Sequence, residues 1–262
     1  MHQQARRLRS VNIFPQEFVP EFAKVLDTEL APVVISTMDT LQTLADGDGS
    51  FFSPDERALL DRISSEKRKN EFISGRISAK MAVGDFIGAD ERTYKQISIV
   101  NTKSGRPEAR CRDAACCSFD GKLSISHSGG YGCALAAGQH CGIDIQKKSA
   151  TLERVKSRYC FEQELNILAA SLPVQDRMQQ LCLLWTAKEA VKKSLDHLQM
   201  PGFMNIVLRK CRPLMESYAV LHFAISRLSL KTTVISGFIS GYGLSITTIK
   251  TDKDEICLNY QK

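Results

Sequence analysis

Residues 176–199, "DRMQQLCLLWTAKEAVKKSLDHLQ", form the strongest helix candidate of the chain. The apolar Leu184 and Trp185 indicate that the first half of this helix is largely buried. Glu189 and Lys193 follow, and because they are four residues apart they are neighbours on one helix face. Two interpretations are open from these residues alone: a solvated ion pair, or a carboxylate and an amine that project into a cleft.

Around this helix the sequence alternates between helical and extended patterns. A second long helix is predicted over 66–87, and Ser53, Pro54 and Glu56 in "FFSPDERALL" predict a capped helix start before it. The other predicted elements are a helical stretch over 151–171 and strands over 33–37, 95–100, 122–127, 131–137, 141–146, 216–227, 231–239, 243–249 and 255–260. Helices followed by strands, twice along the chain, indicate an α+β fold in two halves that meet near residue 140.

Composition narrows the class of protein. The chain has 262 residues, 43% of them hydrophobic, and a formal net charge of +6 at pH 7. Because no apolar run approaches the roughly 20 residues that cross a bilayer, and no secretory signal is recognised, we expect a cytoplasmic protein without a membrane span. The nine cysteines lack zinc-ligand spacing and are odd in number, which favours reduced thiols. The positive charge suits an anionic partner, but no long run of like charges favours nucleic acid.

Two short segments place polar groups on predicted strands. In "LSISHSGGYG", Ser126 and His127 end a strand before two glycines, and hydroxyls, an imidazole and bare backbone N–H groups suit an anion. In "GIDIQ", residues 142–146, Asp144 and Gln146 share one strand face and the isoleucines share the other. For Asp144 a structural polar group and half of a metal site are both open.

In chain order, these segments resemble the motifs of the 4′-phosphopantetheinyl transferase superfamily. The segments that carry the resemblance are "KNEFISGR" (69–76), "GRP" (105–107), "LSISHS" (123–128), "GIDIQ" (142–146), "RYCFEQE" (158–164) and "WTAKEAVKK" (185–193). The last one matches the family pattern [FW]-[ST]-x-K-E-[AS]-x-x-K, and Glu189 follows Asp144 by 45 residues, as the family spacing requires. The resemblance spans about residues 51–200, and the joint order of the motifs makes it specific.

The resemblance implies the long, Sfp-type class of this superfamily. In that class two pseudo-symmetric α+β halves share one chain, each an antiparallel sheet packed with helices, with the active site in the cleft between them. The halves would be residues 1–139 and 140–262. The implied reaction moves the phosphopantetheine arm of coenzyme A onto a serine of an apo acyl or peptidyl carrier protein and releases 3′,5′-ADP, with Mg²⁺ as cofactor. The protein is expected to be a monomer that binds neither nucleic acid nor membranes.

Site residues are carried over by their match to the motifs. The metal ligands would be Asp144, Gln146 and Glu189. The catalytic residues would be Glu189, Lys193 and Lys188. Glu189, or a metal-bound water that it orients, would accept the serine proton. Lys193 would offset charge on the leaving phosphate or protonate it, and Lys188 would assist in the same anionic pocket. The coenzyme A contacts would be Arg76, Arg106, Ser126, His127, Lys67 and Arg68, of which Arg68 has a solvated helix surface as an equally open interpretation.

Gln146 departs from the family pattern, which has Glu there, and a neutral amide is a weaker Mg²⁺ ligand than a carboxylate. Three arrangements are open: Gln146 binds through its carbonyl oxygen or a water, Glu164 helps, or two carboxylates hold the metal with pyrophosphate and waters. The competing function is a non-catalytic coenzyme A or carrier-protein binder of the same fold. The presence of both Glu189 and Lys193 favours the enzyme.

Overall fold

A computed structural model describes residues 13–45, 51–89, 91–111, 119–172, 175–195, 200–215, 217–226 and 228–250. The chain divides into two compact units, Met1–Gly138 and Gln139–Lys262. Each unit combines helices with antiparallel sheet, so the predicted α+β class is confirmed. Within the described ranges, no helix has the length and apolar character needed to span a membrane.

The N-terminal unit packs one long helix against two small sheets. Its helices are α1 (Val19–Leu26), α2 (Thr37–Ala45), α3 (Pro54–Asp61) and α4 (Glu66–Ile87), and its strands are β1 (Leu30–Ser36), β2 (Ile97–Asn101), β3 (Pro107–Cys111), β4 (Lys122–Ser128) and β5 (Tyr131–Ala137). The strands pair as β1-β5-β4 and as β2-β3, all antiparallel. Ile77 and Met81 of α4 are fully buried in the core of this unit.

The C-terminal unit packs one long helix against a five-stranded sheet. Its helices are α5 (Thr151–Arg154), α6 (Glu162–Ser171) and α7 (Arg177–Ser194), and its strands are β6 (His140–Lys147), β7 (Ile206–Met215), β8 (Tyr218–Ile225), β9 (Leu230–Ile239) and β10 (Tyr242–Ile249). The strand order is β6-β10-β9-β8-β7. Leu181 and Leu184 of α7 face Leu221 and Phe223 of β8 in the core.

Most predicted elements lie where the sequence places them. Helix α4 matches the predicted 66–87, and β5 matches 131–137. The predicted helical stretch over 151–171 is wrong as a single element, because it breaks into α5, a 3₁₀ turn and α6. The helices α1 and α2 and the strands β3 and β7 were not predicted. The segment "ADGDGS" (45–50) predicts a loop, and its residues 46–50 lie outside the described residues. The last residues of the predicted helix 176–199 and the predicted strand over 255–260 lie outside them as well.

A buried ion pair ties the N-terminal unit together. The Glu56 carboxylate lies 2.6 Å from Lys80 Nζ, and both side chains are almost fully buried. The same carboxylate accepts the backbone N–H of Ser53 at the start of α3 and that of Ile99 on β2. Glu56 therefore connects a helix start, the long helix and a strand at one point.

The C-terminal unit contains an equivalent buried pair of glutamate and lysine. Glu164 Oε2 lies 2.8 Å from Lys188 Nζ, again with both side chains buried. The Glu164 carboxylate accepts the backbone N–H of Phe161 before α6 and that of Leu208 on β7. The glutamate and the lysine are 24 residues apart in both units, which gives a structural basis for treating the halves as similar.

A short sequence repeat, which the sequence reasoning missed, accompanies this similarity. Residues 129–132 read "GGYG" and lead into β5, and residues 240–243 read "SGYG" and lead into β10. A Cβ added to Gly132 would lie 2.7 Å from the Ser74 side chain on α4, and one on Gly243 would lie 3.0 Å from Cys182 Sγ on α7. In each unit, therefore, a glycine lets a strand pack directly against the long helix.

Replacing Lys80 by Met is expected to lower the free energy of unfolding by about 3–5 kcal/mol, because it leaves the Glu56 carboxylate buried without its cation. Chemical denaturation followed by circular dichroism measures this change. Lys69→Met is the matched control on the same helix: it removes a solvent-exposed ion pair with Glu66 and should cost at most about 0.5 kcal/mol. Equal losses in the two variants would contradict the structural role of Lys80.

Candidate active site

Asp144 on β6 and Lys193 on α7 form an ion pair in the C-terminal unit. Lys193 Nζ lies 2.8 Å from Asp144 Oδ1 and also donates to the carbonyl oxygen of Ile143. Close packing makes this contact possible: a Cβ added to Gly142 would lie 1.8 Å from the carbonyl oxygen of Ala190, so only glycine fits under the helix there. Asp144, two residues on, therefore faces the same helix and reaches its last turn.

Glu189 lies one helical turn before Lys193 and interacts electrostatically with Asp144. Burial is the largest factor that raises the pKa of Glu189, and the negative charge of Asp144 raises it further. Lys192 and Lys193 offset part of this effect. Two carboxylates and two lysines therefore lie in the same partly buried region.

These carboxylates fit a divalent cation. Mg²⁺ prefers carboxylate oxygens and keeps several waters, and a cation would relieve the repulsion that raises the Glu189 pKa. Among the described residues, no group of three or more His, Cys, Asp and Glu side chains could hold a metal. A metal held by Asp144 and Glu189 would therefore need further oxygens from Gln146, a ligand or water.

Gln146 shares the strand face of Asp144, and its amide makes a local hydrogen bond. Its Nε2 donates to the carbonyl oxygen of Lys147 at 2.9 Å, and its own carbonyl oxygen on the backbone accepts from Cys182 Sγ. The side-chain oxygen of Gln146 can therefore act as a ligand without breaking this hydrogen bond. Its role as a metal ligand stays a prediction.

The structure corrects the assignment of Lys188 to the anionic pocket. Lys188 Nζ is fully buried and bound to Glu164 and to the carbonyl oxygen of Tyr159, at 2.8 and 2.6 Å. Burial lowers the pKa of Lys188, and the Glu164 carboxylate opposes this shift. Neither residue is available to a substrate or a metal, so the interpretation of Glu164 as a helper ligand is corrected as well. Lys188 and Glu189 are adjacent in the sequence, but the rotation of about 100° per helical residue points their side chains in different directions.

An aromatic contact beside Glu189 was not predicted. The Lys192 ammonium lies 4.0 Å from the ring centroid of Phe203, which packs against Trp185 at 5.2 Å. Trp185 in turn meets the Tyr159 ring edge to face. The sequence marked Trp185 as part of the motif, but nothing in the residues around Phe203 indicated that its ring would hold Lys192.

A cavity of about 410 Å³ in the N-terminal unit collects three of the predicted coenzyme A contacts: Arg68, Arg76 and His127. Arg76 stacks on the Phe72 ring at 4.7 Å, and its Nη2 donates to Asn101 Oδ1 at 3.4 Å. Arg76 Nε is buried and has no hydrogen-bond partner among the described residues. Burial lowers the pKa of Arg76, and Glu56 partly offsets this shift.

The other predicted contacts are not among the lining residues of this cavity. Lys67 is 84% exposed and pairs with Glu71 at 3.8 Å. Arg106 lies in the β2–β3 turn, where its backbone N–H donates to a threonine hydroxyl. Ser126 is buried, and strand alternation turns it to the opposite face of β4 from His127. The Glu71 carboxylate lies in the cavity, 3.7 Å from His127 Nδ1.

Comparison with known families bears on the C-terminal unit. A family model described as ACPS, the 4′-phosphopantetheinyl transferase superfamily, matches residues 140–221. The matched range holds Asp144, Glu189 and Lys193. Over residues 140–221 the chain is similar to this superfamily. The superfamily predicted from the motifs is thereby confirmed over that range, and the long class stays a prediction.

Two solved structures are similar to part of the chain. A holo-(acyl-carrier-protein) synthase from Bacillus anthracis str. Ames, crystallised in complex with CoA (3′,5′-ADP), is 22% identical over 41% of this chain and 92% of that chain, with a TM-score of 0.36. Holo-[acyl-carrier-protein] synthase (AcpS) from Neisseria meningitidis is 16% identical over 41% of this chain and 94% of that chain, also with a TM-score of 0.36. The search of curated proteins gave no significant match.

Replacing Glu189 by Gln is expected to leave the metal-free protein at least as stable as the wild type near neutral pH. When folding raises the pKa of a carboxyl group, the free energy of unfolding falls as pH rises from the unfolded pKa to the folded pKa of that group. Above this pH range the charged Glu189 therefore destabilises the fold. Thermal unfolding in a chelator at neutral pH, and below about pH 4, measures the effect, which should vanish at the acidic pH.

Glu162→Gln is the control of opposite sign. Hydrogen bonds from Lys156 and Arg177 lower the pKa of Glu162, so its charged form stabilises the fold above the unfolded pKa. This variant should lose stability at neutral pH. A Glu189→Gln variant that loses as much as Glu162→Gln would show that Glu189 is a structural group.

Proposed function

We propose that this protein is a phosphopantetheinyl transferase of the holo-acyl-carrier-protein synthase type. It moves the 4′-phosphopantetheine arm of coenzyme A onto a serine of an apo acyl or peptidyl carrier protein and releases 3′,5′-ADP, with Mg²⁺ as cofactor. The observation that carries the proposal is the cluster of Asp144, Glu189 and Lys193 within the segment that matches the superfamily. All three groups have the chemistry that this transfer needs.

Asp144 and Glu189 would hold the metal, with Gln146 as a candidate third ligand. Mg²⁺ bound there supplies charge neutralisation to the pyrophosphate of coenzyme A. Because Asp144 already binds Lys193, its carboxylate is fixed in place before a ligand arrives. This fixed geometry avoids reorganisation during the reaction, which is a large part of electrostatic catalysis.

Glu189 accepts the proton of the carrier serine as its oxygen attacks the phosphorus of the phosphopantetheine arm. The new serine O–P bond forms while the P–O bond to 3′,5′-ADP breaks, and negative charge develops on the leaving phosphate. Burial beside Asp144 makes Glu189 a stronger base than an exposed glutamate. Lys193, one turn further along α7, offsets the charge on the leaving group or donates a proton to it.

The cavity of the N-terminal unit supplies groups for the anionic part of coenzyme A. Arg76 and Arg68 offer guanidinium donors, and the orphan Nε of Arg76 is a buried donor that a ligand can satisfy. His127 adds an imidazole on the cavity wall. Lys67, Arg106 and Ser126 stay in the proposed set on the strength of the motif resemblance.

Glu189→Gln is expected to reduce the transfer rate by at least about 100-fold, since it removes both the proton acceptor and a metal ligand. The assay incubates the protein with coenzyme A, Mg²⁺ and a panel of apo-carriers, and mass spectrometry detects the added phosphopantetheine arm. Glu153→Gln, on the exposed ion pair with Arg177, should keep full activity. Coenzyme A binding without transfer to any carrier would favour the non-catalytic binder.

Gln146→Glu is expected to lower the Mg²⁺ concentration needed for half-maximal rate several-fold, because a carboxylate binds Mg²⁺ more strongly than an amide. The rate is measured over a Mg²⁺ titration at saturating coenzyme A. Gln42→Glu, on the exposed part of α2, adds the same charge far along the chain and should leave the titration unchanged. An unchanged titration for Gln146→Glu would show that position 146 is not a ligand.

A further inference from the structure

A row of polar side chains crosses the C-terminal sheet beneath α7. The strand register places Asp144 on β6 directly opposite Ser245 on β10, and Ser245 directly opposite Ser236 on β9. Opposed residues point to the same face of a sheet, and Ser245 contacts α7, so the row lies on the face that α7 covers. All three side chains are buried. A buried polar row therefore leads from the interior of the sheet to the Asp144 carboxylate.

Hydrogen bonds between hydroxyl groups connect this row to the helix. Ser245 Oγ lies 2.7 Å from Ser236 Oγ and 2.7 Å from Thr186 Oγ1 on α7. The Thr186 hydroxyl donates to its own helix, 3.1 Å from the carbonyl oxygens of Cys182 and Leu183. Because a hydroxyl has one proton, Thr186 accepts from Ser245, and Ser245 accepts from Ser236. These three hydroxyls, here called the hydroxyl cluster, thus form consecutive hydrogen bonds that end on the backbone of α7.

The N-terminal unit has apolar side chains at the equivalent places in its sheet. The second residue after the glycine that contacts the long helix is Ala134 in the N-terminal unit and Ser245 in the C-terminal unit. Ala134 pairs with Val33 on β1 and with Ile125 on β4. The row in this unit therefore consists of two aliphatic side chains and an alanine, where the C-terminal unit has a carboxylate and two hydroxyls.

The hydroxyl on the long helix does not need a serine on the strand. Two residues before the buried lysine, α7 has Thr186 and α4 has Ser78. Ser78 is fully buried and donates to the carbonyl oxygen of Gly75 in its own helix, at 3.1 Å. That hydrogen bond satisfies Ser78 in the unit that has Ala134 on the strand. The fold therefore accepts an alanine at the position of Ser245, and satisfying the helix hydroxyl does not explain the serine.

We propose that Ser245, supported by Ser236, is a positioning residue of the active site, a proposal that rests on the proposed function. Its hydrogen bond to Thr186 holds α7 against β10 at the level of Asp144. Glu189 follows Thr186 by three residues and is its neighbour on the helix surface. A hydrogen bond fixes both a distance and a direction, whereas apolar contacts are non-directional. The hydroxyl cluster thereby sets the separation of the two carboxylates that would hold Mg²⁺.

A second buried hydroxyl on β10 provides a matched comparison. Thr247 is fully buried, lies 3.1 Å from the Thr232 hydroxyl and donates to the carbonyl oxygen of Thr233 on β9. It is two residues from Ser245 and on the same strand face, but the residue opposite it on β6 is Gly142, which has no side chain. Loss of the Thr247 hydroxyl should therefore affect stability without changing the site.

The test compares Ser245→Ala with Thr247→Val, each of which removes one buried hydroxyl from β10. Electron paramagnetic resonance measures binding of Mn²⁺, which takes the same oxygen ligands as Mg²⁺, to the protein alone. The Kd for Mn²⁺ is expected to rise about 10-fold in Ser245→Ala, as for other groups that orient metal ligands, and to stay at the wild-type value in Thr247→Val. Asp144→Asn should raise this Kd at least as much as Ser245→Ala.

Steady-state transfer separates positioning from carrier binding. For Ser245→Ala, kcat is expected to fall about 10-fold with KM for the carrier unchanged, because misplaced catalytic groups slow the chemical step. Thr186→Val removes the same hydrogen bond from the helix side and should reproduce both effects. Thr247→Val should keep the wild-type kcat. Chemical denaturation in a chelator should show that all three variants fold, with similar losses of midpoint for Ser245→Ala and Thr247→Val.

The outcomes distinguish the positioning role from the proposed function. Wild-type Mn²⁺ binding and kcat in Ser245→Ala, or equal changes in Ser245→Ala and Thr247→Val, overturn the positioning role and leave the transferase function intact. A Kd for Mn²⁺ that rises in Ser245→Ala and not in Thr247→Val supports the role even if no carrier is modified, in which case only the proposed function fails. A wild-type protein that binds no Mn²⁺ overturns both.

Discussion

The buried pair of Glu164 and Lys188 is the constraint on which the arrangement of the C-terminal unit depends. One carboxylate caps α6, accepts a backbone N–H from Leu208 on β7 and neutralises a lysine of α7. A buried charge is tolerated only when its partners satisfy it completely, so the three elements have little freedom to slide. The rotation of α7 about its axis is thereby fixed at the residue before Glu189.

Close packing of the strands against this helix then brings the site residues together. Gly142 and Gly243 let β6 and β10 approach α7 so closely that a Cβ on either would contact its backbone or side chains. With the strand that near, a carboxylate as short as that of Asp144 reaches Lys193 in the last helical turn. The position of the ion pair therefore depends on the two glycines as well as on the two charged side chains.

Local sequence signals predict many of the helix and strand boundaries. The roles of individual side chains depend on tertiary contacts, which the sequence does not show. The cap at Ser53 and the apolar period of α4 are local, and so the helix boundaries follow from the sequence. The strand β7 was missed because charged residues interrupt its apolar pattern. In "AKEAVKK", three lysines look alike, yet Lys188 lies in the core, Lys192 on an aromatic ring and Lys193 on a carboxylate. Only the packing of α7 separates these roles.

The N-terminal unit shows which parts of the pattern are structural. It keeps the buried pair of Glu56 and Lys80 with the same spacing, but the residue after the lysine is the buried, apolar Met81, where the C-terminal unit has Glu189. The fold therefore needs the lysine and has no need of a carboxylate next to it. Burial and Asp144 both disfavour the charge on Glu189, so its presence opposes stability. A residue that the fold does not require and that electrostatics disfavours is best explained by the chemistry of the site.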